Sequence, residues 1–238
     1  MKKLSKEDLS RFTRHFSLSE VGEEGQIKLK NARVLVIGAG GLGSPLLIYL
    51  SAAGIGHIGI VDDDTVSISN LQRQVLYSTA DVGRKKVEAA SEKLSALYPE
   101  IDIKAYDTRL NVDNAEVLLK PYHVVADCTD TYRTRELTGE VSARLKIPLA
   151  FASVLNYEGQ VSVFNYEDGP SYDMLFPKVP QDGIYRENEI GLFGVLPGIA
   201  GTLQANEIIK IITGYGTVIS GKLLVFDIRE NRFSLFKA

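Results

Sequence analysis

The run Arg33-Val-Leu-Val-Ile-Gly-Ala-Gly-Gly-Leu-Gly-Ser44 limits what this chain can fold into more than any other segment. Its β-branched residues read as a buried strand from Arg33 to Ile37. The glycines that follow let the backbone turn tightly and approach a phosphate, and the small and apolar residues from Ser44 to Ala53 read as a helix packed closely on a sheet. Gly38, Gly40, Gly41 and Gly43 fit the Gly-x-Gly-x-x-Gly pattern, which many unrelated nucleotide folds share. Asp62 closes the next apolar run, His57 to Val61, about 20 residues on, where a ribose would sit.

Strand and helix patterns go on alternating. Arg84 to Leu97 sets Val87, Ala90, Leu94 and Leu97 on one helical face, and Pro99 ends it before a strand from Ile101 to Tyr106. Ala115 to Leu119 reads as a helix, His123 to Ala126 as a strand, Tyr132 to Leu145 as a helix and Ile147 to Ala152 as a strand. After Ser153 the order changes. Gln160 to Phe164 alternates like a strand, then roughly thirty residues with Pro170, Pro177, Pro180, Gly183 and Gly191 show no period, which is uncommon for a loop. Pro197 to Ile212 is a helix with Gly214 as its stop, and Gly221 to Phe226 with Arg232 to Phe236 form a terminal hairpin. The pattern predicts an α/β fold: a Rossmann-like, doubly wound, mostly parallel central sheet with antiparallel strands in the C-terminal part. At 238 residues and 45% hydrophobic, one domain is expected over 1–238. It would comprise a helical arm (1–30, capped by Ser5), a nucleotide-binding half (31–153), and a second half (154–238) containing a crossover loop (165–193).

Composition narrows the partners. The formal charge of −3 with scattered positive residues argues against nucleic acid and anionic membrane. One cysteine allows no intrachain disulfide and no Cys-x-x-Cys zinc site. The N-terminus has no secretory apolar stretch, and no apolar run reaches membrane-spanning length, so the expected location is cytoplasmic.

The segment just past Asp62 carries most of the chemical specificity. Ser69, Asn70, Leu71, Gln72 and Arg73 bring a guanidinium and amides to a place where a dinucleotide fold needs neither, which suits a polyphosphate with a leaving group to hold. Asp63 and Asp64 read as solvated loop charges. Lys85 and Lys86 open a helix, where positive charge opposes the macrodipole unless an anion binds there. Asp127 and Asp130 flank Cys128 at a strand's carboxyl end, and one of them is placed to hold a magnesium ion bridging phosphates. Cys128 reads as packing, with no histidine as its base, and His15, His57 and His123 show no ligand spacing.

Taken together, these residues resemble the ubiquitin-activating-like adenylyltransferases, the family that includes the molybdopterin-synthase and thiamine sulphur-carrier activating enzymes. The matching segments are Arg11 to His15, Gly38 to Gly43, Asp62 with Asp64 to Gln74, Val82 to Lys86, Asp127 to Asp130, Glu158 to Gln160, and Gly198 to Glu207. The resemblance implies ATP-dependent adenylation of the C-terminal glycine of a small β-grasp, ubiquitin-like sulphur carrier, with release of pyrophosphate. It also implies that Gly41, Asp62 and Asp64 hold the nucleotide, Asn70 and Arg73 its phosphates, and Lys86 the polyphosphate. Asp130 would hold Mg2+, and Arg14 would come from the other subunit of a homodimer.

The chain departs from the family pattern at several points. Relatives often carry two Cys-x-x-Cys pairs holding zinc; here Pro170 to Pro177 fills the first position and the second is missing, so no zinc is expected. Glu187 or Asn188 stands where relatives with a covalent intermediate place a cysteine, which leaves the acyl-adenylate as the expected product. Thr131 replaces the usual Asn after Asp130, and a hydroxyl cannot supply an amide's two donors. Three other readings remain open: a nucleotide-binding interaction protein without turnover, an NAD-dependent dehydrogenase, and a tRNA dehydratase-like relative. The apolar Met174, Leu175 and Phe176 are expected to dock the long loop against the body or the dimer partner.

Overall fold

The computed structural model describes residues 2–177 and 191–237. Glu187 and Asn188 lie outside the described residues. The chain begins with α1 (Lys6–Arg11), α2 (Thr13–Phe16) and α3 (Gly22–Asn31). It continues through β1 (Arg33–Ile37), α4 (Gly43–Ala52), β2 (His57–Val61), α5 (Lys86–Leu97), β3 (Asp102–Tyr106), α6 (Ala115–Leu119), β4 (Val124–Asp127), α7 (Tyr132–Leu145) and β5 (Leu149–Leu155). β6 (Glu158–Phe164), α8 (Tyr172–Leu175), α9 (Val195–Thr213), β7 (Lys222–Asp227) and β8 (Arg232–Lys237) complete it.

The strands form one eight-stranded sheet in the order β3-β2-β1-β4-β5-β6-β7-β8. β1 to β5 run parallel, and β5 to β8 pair antiparallel. The expected α/β architecture, mostly parallel with an antiparallel C-terminal part, is the one observed. The order reverses at β1, which lies between β2 and β4, and ligands in open α/β sheets bind at such a switch point. Register then matters: Ile37 pairs with both Val61 and Asp127. The residues that follow these three strand ends, Gly38, Asp62 and Cys128, therefore leave the sheet side by side.

The alternating β period divides the core. Val34 and Val36 point into a cluster with Leu46, Leu47 and Leu50 of α4, Leu94 of α5 and Ile208 of α9. Leu35 and Ile37 point the other way, toward Leu118 and Leu119 of α6, Val141 of α7 and Tyr172 of α8. Both faces of the central strands are covered, as parallel sheets require. α9 ends where Gly214 adopts a left-handed φ of 86°, the conformation that favours glycine after a helix. Among the described residues, no helix is long and apolar enough to cross a membrane.

Two differences from the sequence reading have physical causes, and so does α3, the last helix of the expected arm. α3 carries no clear apolar stripe; it forms because Leu29 is buried and Gln26 donates to the Ala53 carbonyl. The helix expected from Arg84 starts at Lys86, because Lys85 is extended and bridges Thr65. Leu175 and Phe176 dock on the body as expected, but Met174 is 75% exposed. The helical turn that buries Tyr172 carries Met174 to the opposite side.

Candidate active site

The glycine turn is built by close approach. Gly38 has a φ of 92°, and a β-carbon there would lie 2.8 Å from the Cys128 carbonyl oxygen. At Gly43 a β-carbon would overlap the Gly38 carbonyl oxygen at 2.1 Å. The turn leads directly into α4, so its amide groups belong to a helix amino end, where phosphates bind well. Asp62 braces the turn from the next strand end. One of its oxygens accepts the Ala39 N–H at 2.8 Å and the other the Asp64 N–H at 2.9 Å. Burial raises the Asp62 carboxyl above its ordinary range, and the Lys86 charge offsets part of that rise.

The polar segment after Asp62 folds back onto the turn. Ile68–Asn70 forms a short 3-10 turn, and the Asn70 carbonyl accepts the N–H groups of Arg73 and Gln74. The Arg73 stem consequently runs beside Gly41, whose β-carbon would lie 3.5 Å from Arg73 Cγ and 3.3 Å from Pro197 at the start of α9. Arg73 also donates to the Ser69 carbonyl at 3.2 Å. Gln72 is exposed, while its carbonyl packs against Gly194; Leu71 is half-buried on the core and Ser69 is exposed. Lys86 is buried and reaches Asp64 at 2.8 Å. Lys85 points elsewhere, to Asp107 and the Asp63 carbonyl, so only one of the two lysines joins the crevice.

The 127–131 turn forms the third wall. Asp127 is fully buried and spends one oxygen on the Thr129 N–H and hydroxyl. Asp130 is exposed, and its carboxylate makes no hydrogen bond or ion pair among the described residues. The Thr131 hydroxyl is engaged by Thr134 at 2.7 Å. Cys128 is packing: burial pushes its thiol well up, and it bonds to Gln204 Oε1 at 3.3 Å. The histidines lie outside the crevice, with His15 on Gln26, His57 on Asp102 and His123 on the Arg33 amide.

Two residues of this crevice escaped the sequence reading. The Tyr77 hydroxyl donates to the Ala39 carbonyl at 2.9 Å, tying the glycine turn to the polar segment. Gln204 reaches from α9 to the Asp127 and Ala150 carbonyls, both at 2.9 Å. Gln204 was detectable only as a polar residue on the buried face of an apolar helix.

Arg14 is not part of this assembly. It is exposed on α2, directly after Phe12, which packs on Gly54 and Tyr98 near the amino ends of β2 and β3. The crevice lies at the carboxyl ends, about 13 Å along a five-residue strand at 3.3 Å per residue. A cavity of about 730 Å³, lined by Pro170, Met174, Lys222, Phe236 and neighbours, opens at the far ends of β6 to β8 and contains none of the crevice residues.

A family model described as "ThiF family" matches residues 12–238. The chain belongs to the ThiF family. Among its ThiF-family relatives, the sulfur carrier protein adenylyltransferase of Thermus thermophilus is 45% identical over 235 residues, covering 96% of this chain and 87% of that one. The probable adenylyltransferase/sulfurtransferase MoeZ of Mycobacterium tuberculosis is 43% identical, covering 95% of this chain and 59% of the longer protein. The probable molybdopterin-synthase adenylyltransferase of Porphyra purpurea is 40% identical, covering 98% and 62%. The chain thus spans little more than half the length of several relatives. Solved structures of PaaA and of E. coli MccB share the ThiF-family fold, each with a TM-score of 0.85 and 24% identity. They cover 100% and 98% of this chain, and 75% and 72% of their own.

Proposed function

We propose that this ThiF-family chain uses ATP and Mg2+ to adenylate the C-terminal glycine of a small ubiquitin-like sulphur-carrier protein, releasing pyrophosphate without a covalent cysteine intermediate. The observation that carries this reading is the convergence of Gly41, Asp62, Arg73, Lys86 and Asp130 on one crevice, in a chain 45% identical to a sulfur carrier protein adenylyltransferase.

The chemistry asks little of the protein. A glycine carboxylate is ionised at pH 7 and needs no general base. Its oxygen attacks the α-phosphorus, an O–P bond forms, and the bond from that phosphorus to the pyrophosphate oxygen breaks with the electron pair leaving on pyrophosphate. Alignment and charge neutralisation are therefore the catalytic tasks. The amides around Gly38, Gly40, Gly41 and Gly43 cradle the nucleotide, and the Asp62 carboxylate, already oriented by two backbone donors, accepts from the ribose. Asn70 and Arg73 hold phosphate oxygens, with Ser69, Leu71 and Gln72 shaping the wall. Lys86 exchanges Asp64 for the polyphosphate. Asp130 is the residue to hold magnesium, since its exposed carboxylate is a hard oxygen donor without a partner among the described residues. When bound, the metal neutralises charge on the departing phosphates. Thr131, bonded to Thr134, contributes at most a single hydroxyl.

Arg14 lies too far from its own crevice to act there, which supports its contribution to the crevice of a second copy and hence a homodimer. A reducing, cytoplasmic setting suits the single buried Cys128. The test is ATP–pyrophosphate exchange with and without small carriers ending in Gly-Gly. Exchange that requires one carrier and vanishes in Arg73→Ala supports the reading. Tight ATP binding with no exchange for any carrier would favour a nucleotide-binding interaction protein.

A further inference from the structure

Among the described residues the Asp130 carboxylate makes no hydrogen bond or ion pair, so within them its position depends on the backbone just before it. That backbone is held group by group. The Asp127 carbonyl accepts from Gln204 at 2.9 Å, and the Cys128 N–H donates to the Ile37 carbonyl at 2.9 Å. The Thr129 N–H and hydroxyl both donate to one Asp127 oxygen, at 2.9 and 2.7 Å. The Thr129 carbonyl, one peptide from Asp130, takes none of these partners.

Arg135, on the first turn of α7, takes that carbonyl with two donors: Nε at 3.2 Å and Nη2 at 2.8 Å. Its guanidinium stands over the Phe151 ring at 5.6 Å and the Tyr132 ring at 5.9 Å. Phe151 is itself 2% exposed and locked among Phe164, Tyr172 and Phe176. A guanidinium is planar and can fork two donors onto one acceptor while its flat face rests on an aromatic ring; an ammonium, a compact point charge, does not combine the two in that geometry. The second Asp127 oxygen is buried without a hydrogen-bond partner among the described residues, a cost the turn bears while Arg135 holds its other end.

We propose that Arg135 is a positioning residue for the adenylation site, clamping the Thr129 carbonyl against Phe151 and Tyr132 so that Asp130 presents its carboxylate to magnesium-bound nucleotide. This rests on the reading of Asp130 as the magnesium residue. Partners one step behind a metal ligand typically change metal affinity or activity by about 10- to 100-fold when removed.

The experiment measures ATP affinity by calorimetry across a magnesium titration, without carrier, for wild type, Arg135→Lys, Arg135→Met and Asp130→Asn. In Arg135→Met, ATP affinity in chelator should equal that of wild type within about twofold, while the half-saturating magnesium concentration rises about tenfold. Arg135→Lys, which keeps the charge and one donor, should show a smaller rise. The combination with Asp130→Asn should add nothing further, because both act on one contact. In exchange assays kcat should fall with little change in the KM for carrier. An unchanged magnesium requirement in Arg135→Lys and Arg135→Met overturns the proposal, as does an equal loss of affinity with and without metal. If Arg135→Met does not fold, Arg135→Lys alone decides. Wild type that binds ATP with magnesium but never exchanges would sink the adenylation reading and leave the clamp to be judged by the magnesium shift.

Discussion

Lys86 Nζ stands 2.8 Å from an Asp64 oxygen, with the lysine side chain 5% exposed and the aspartate 69% exposed. The pair is asymmetric, so its two halves should fail differently. Lys86→Met removes the buried charge and leaves Asp64 in water, and stability should change by no more than about 1 kcal/mol. Exchange should nevertheless fall about 10²- to 10³-fold, because a charge facing the departing pyrophosphate is gone. Asp64→Ala instead strands the buried ammonium and should cost about 1–3 kcal/mol. Magnesium-ATP should then stabilise Asp64→Ala more than wild type, since phosphate replaces the missing partner. Thermal melts with and without nucleotide read both effects, and equal shifts in the two proteins would refute the exchange of partners at Lys86.

The glycines of the turn separate into two kinds. A β-carbon at Gly43 would overlap backbone at 2.1 Å, and neither the Gly38 carbonyl nor the helix start can yield. Gly43→Ala should therefore fail to give folded protein. At Gly41 the nearest atoms are Pro197 side-chain carbons at 3.3 Å, which can give by a few tenths of an ångström. Gly41→Ala should fold with a melting temperature within about 4 °C of wild type, a shift worth about 1 kcal/mol or slightly more in a chain of this size. Its ATP affinity should drop at least about tenfold, or about 1.4 kcal/mol. Normal ATP affinity in Gly41→Ala would remove this position from the nucleotide cradle.

How far the sequence discloses this site depends on which forces are local. β1 and β2 begin and end where their apolar runs do, because each strand is covered on both faces and its limits are set by burial alone. α7 likewise spans the residues its pattern predicts. The polar segment after Asp62 is legible because a guanidinium and amides clustered there have no structural need. α3 is not, since its residues are held by contacts with Ala53 and Asp8 that only the tertiary fold creates. Tyr77 and Arg135 are illegible for a related reason. Each acts on backbone carbonyls, Ala39 and Lys86 for Tyr77 and Thr129 for Arg135, and a carbonyl leaves no mark in sequence.

Arg14 offers a test by mixing. If each crevice takes Arg14 from the partner, an Arg14→Ala protomer and an Arg73→Ala protomer are both inactive as homodimers. A mixed dimer has one crevice with both arginines, while the other has neither. With free exchange of protomers, an equal mixture should recover about a quarter of wild-type exchange activity, since half the dimers are mixed and each has one working crevice of two. Size-exclusion chromatography verifies the dimer, and the activity of the mixture decides. No recovery despite demonstrated mixing would mean that Arg14 does not act across subunits.

The arm that carries Arg14 should be acid-labile. Asp8 is fully buried on α1; it accepts from Lys30, Ser5 and Tyr98, and Lys30 also reaches Glu100 at 2.7 Å. Burial alone would raise the Asp8 carboxyl, but the hydrogen bonds from Lys30, Ser5 and Tyr98 outweigh it and hold it below its ordinary 3.8. The Lys30 hydrogen bond, with one from Ser5, also holds Glu100 below 4.5. Groups with lowered values in the folded state stabilise it fully above their ordinary range and stop doing so as pH falls through the lowered values. Lys30, raised from 10.5, stays charged throughout this window. Between about pH 5 and about pH 3 the wild-type melting temperature should therefore fall more steeply than that of Asp8→Asn, which cannot lose a charge it lacks. At neutral pH the order reverses: Asp8→Asn is the less stable protein, because Lys30 has lost its buried partner. Because Arg14 lies on this arm a few residues after Asp8, dimer-dependent exchange should decline over the same acid window. Parallel melting curves for the two proteins from neutral to acid pH would show that the Asp8–Lys30–Glu100 cluster does not hold the arm.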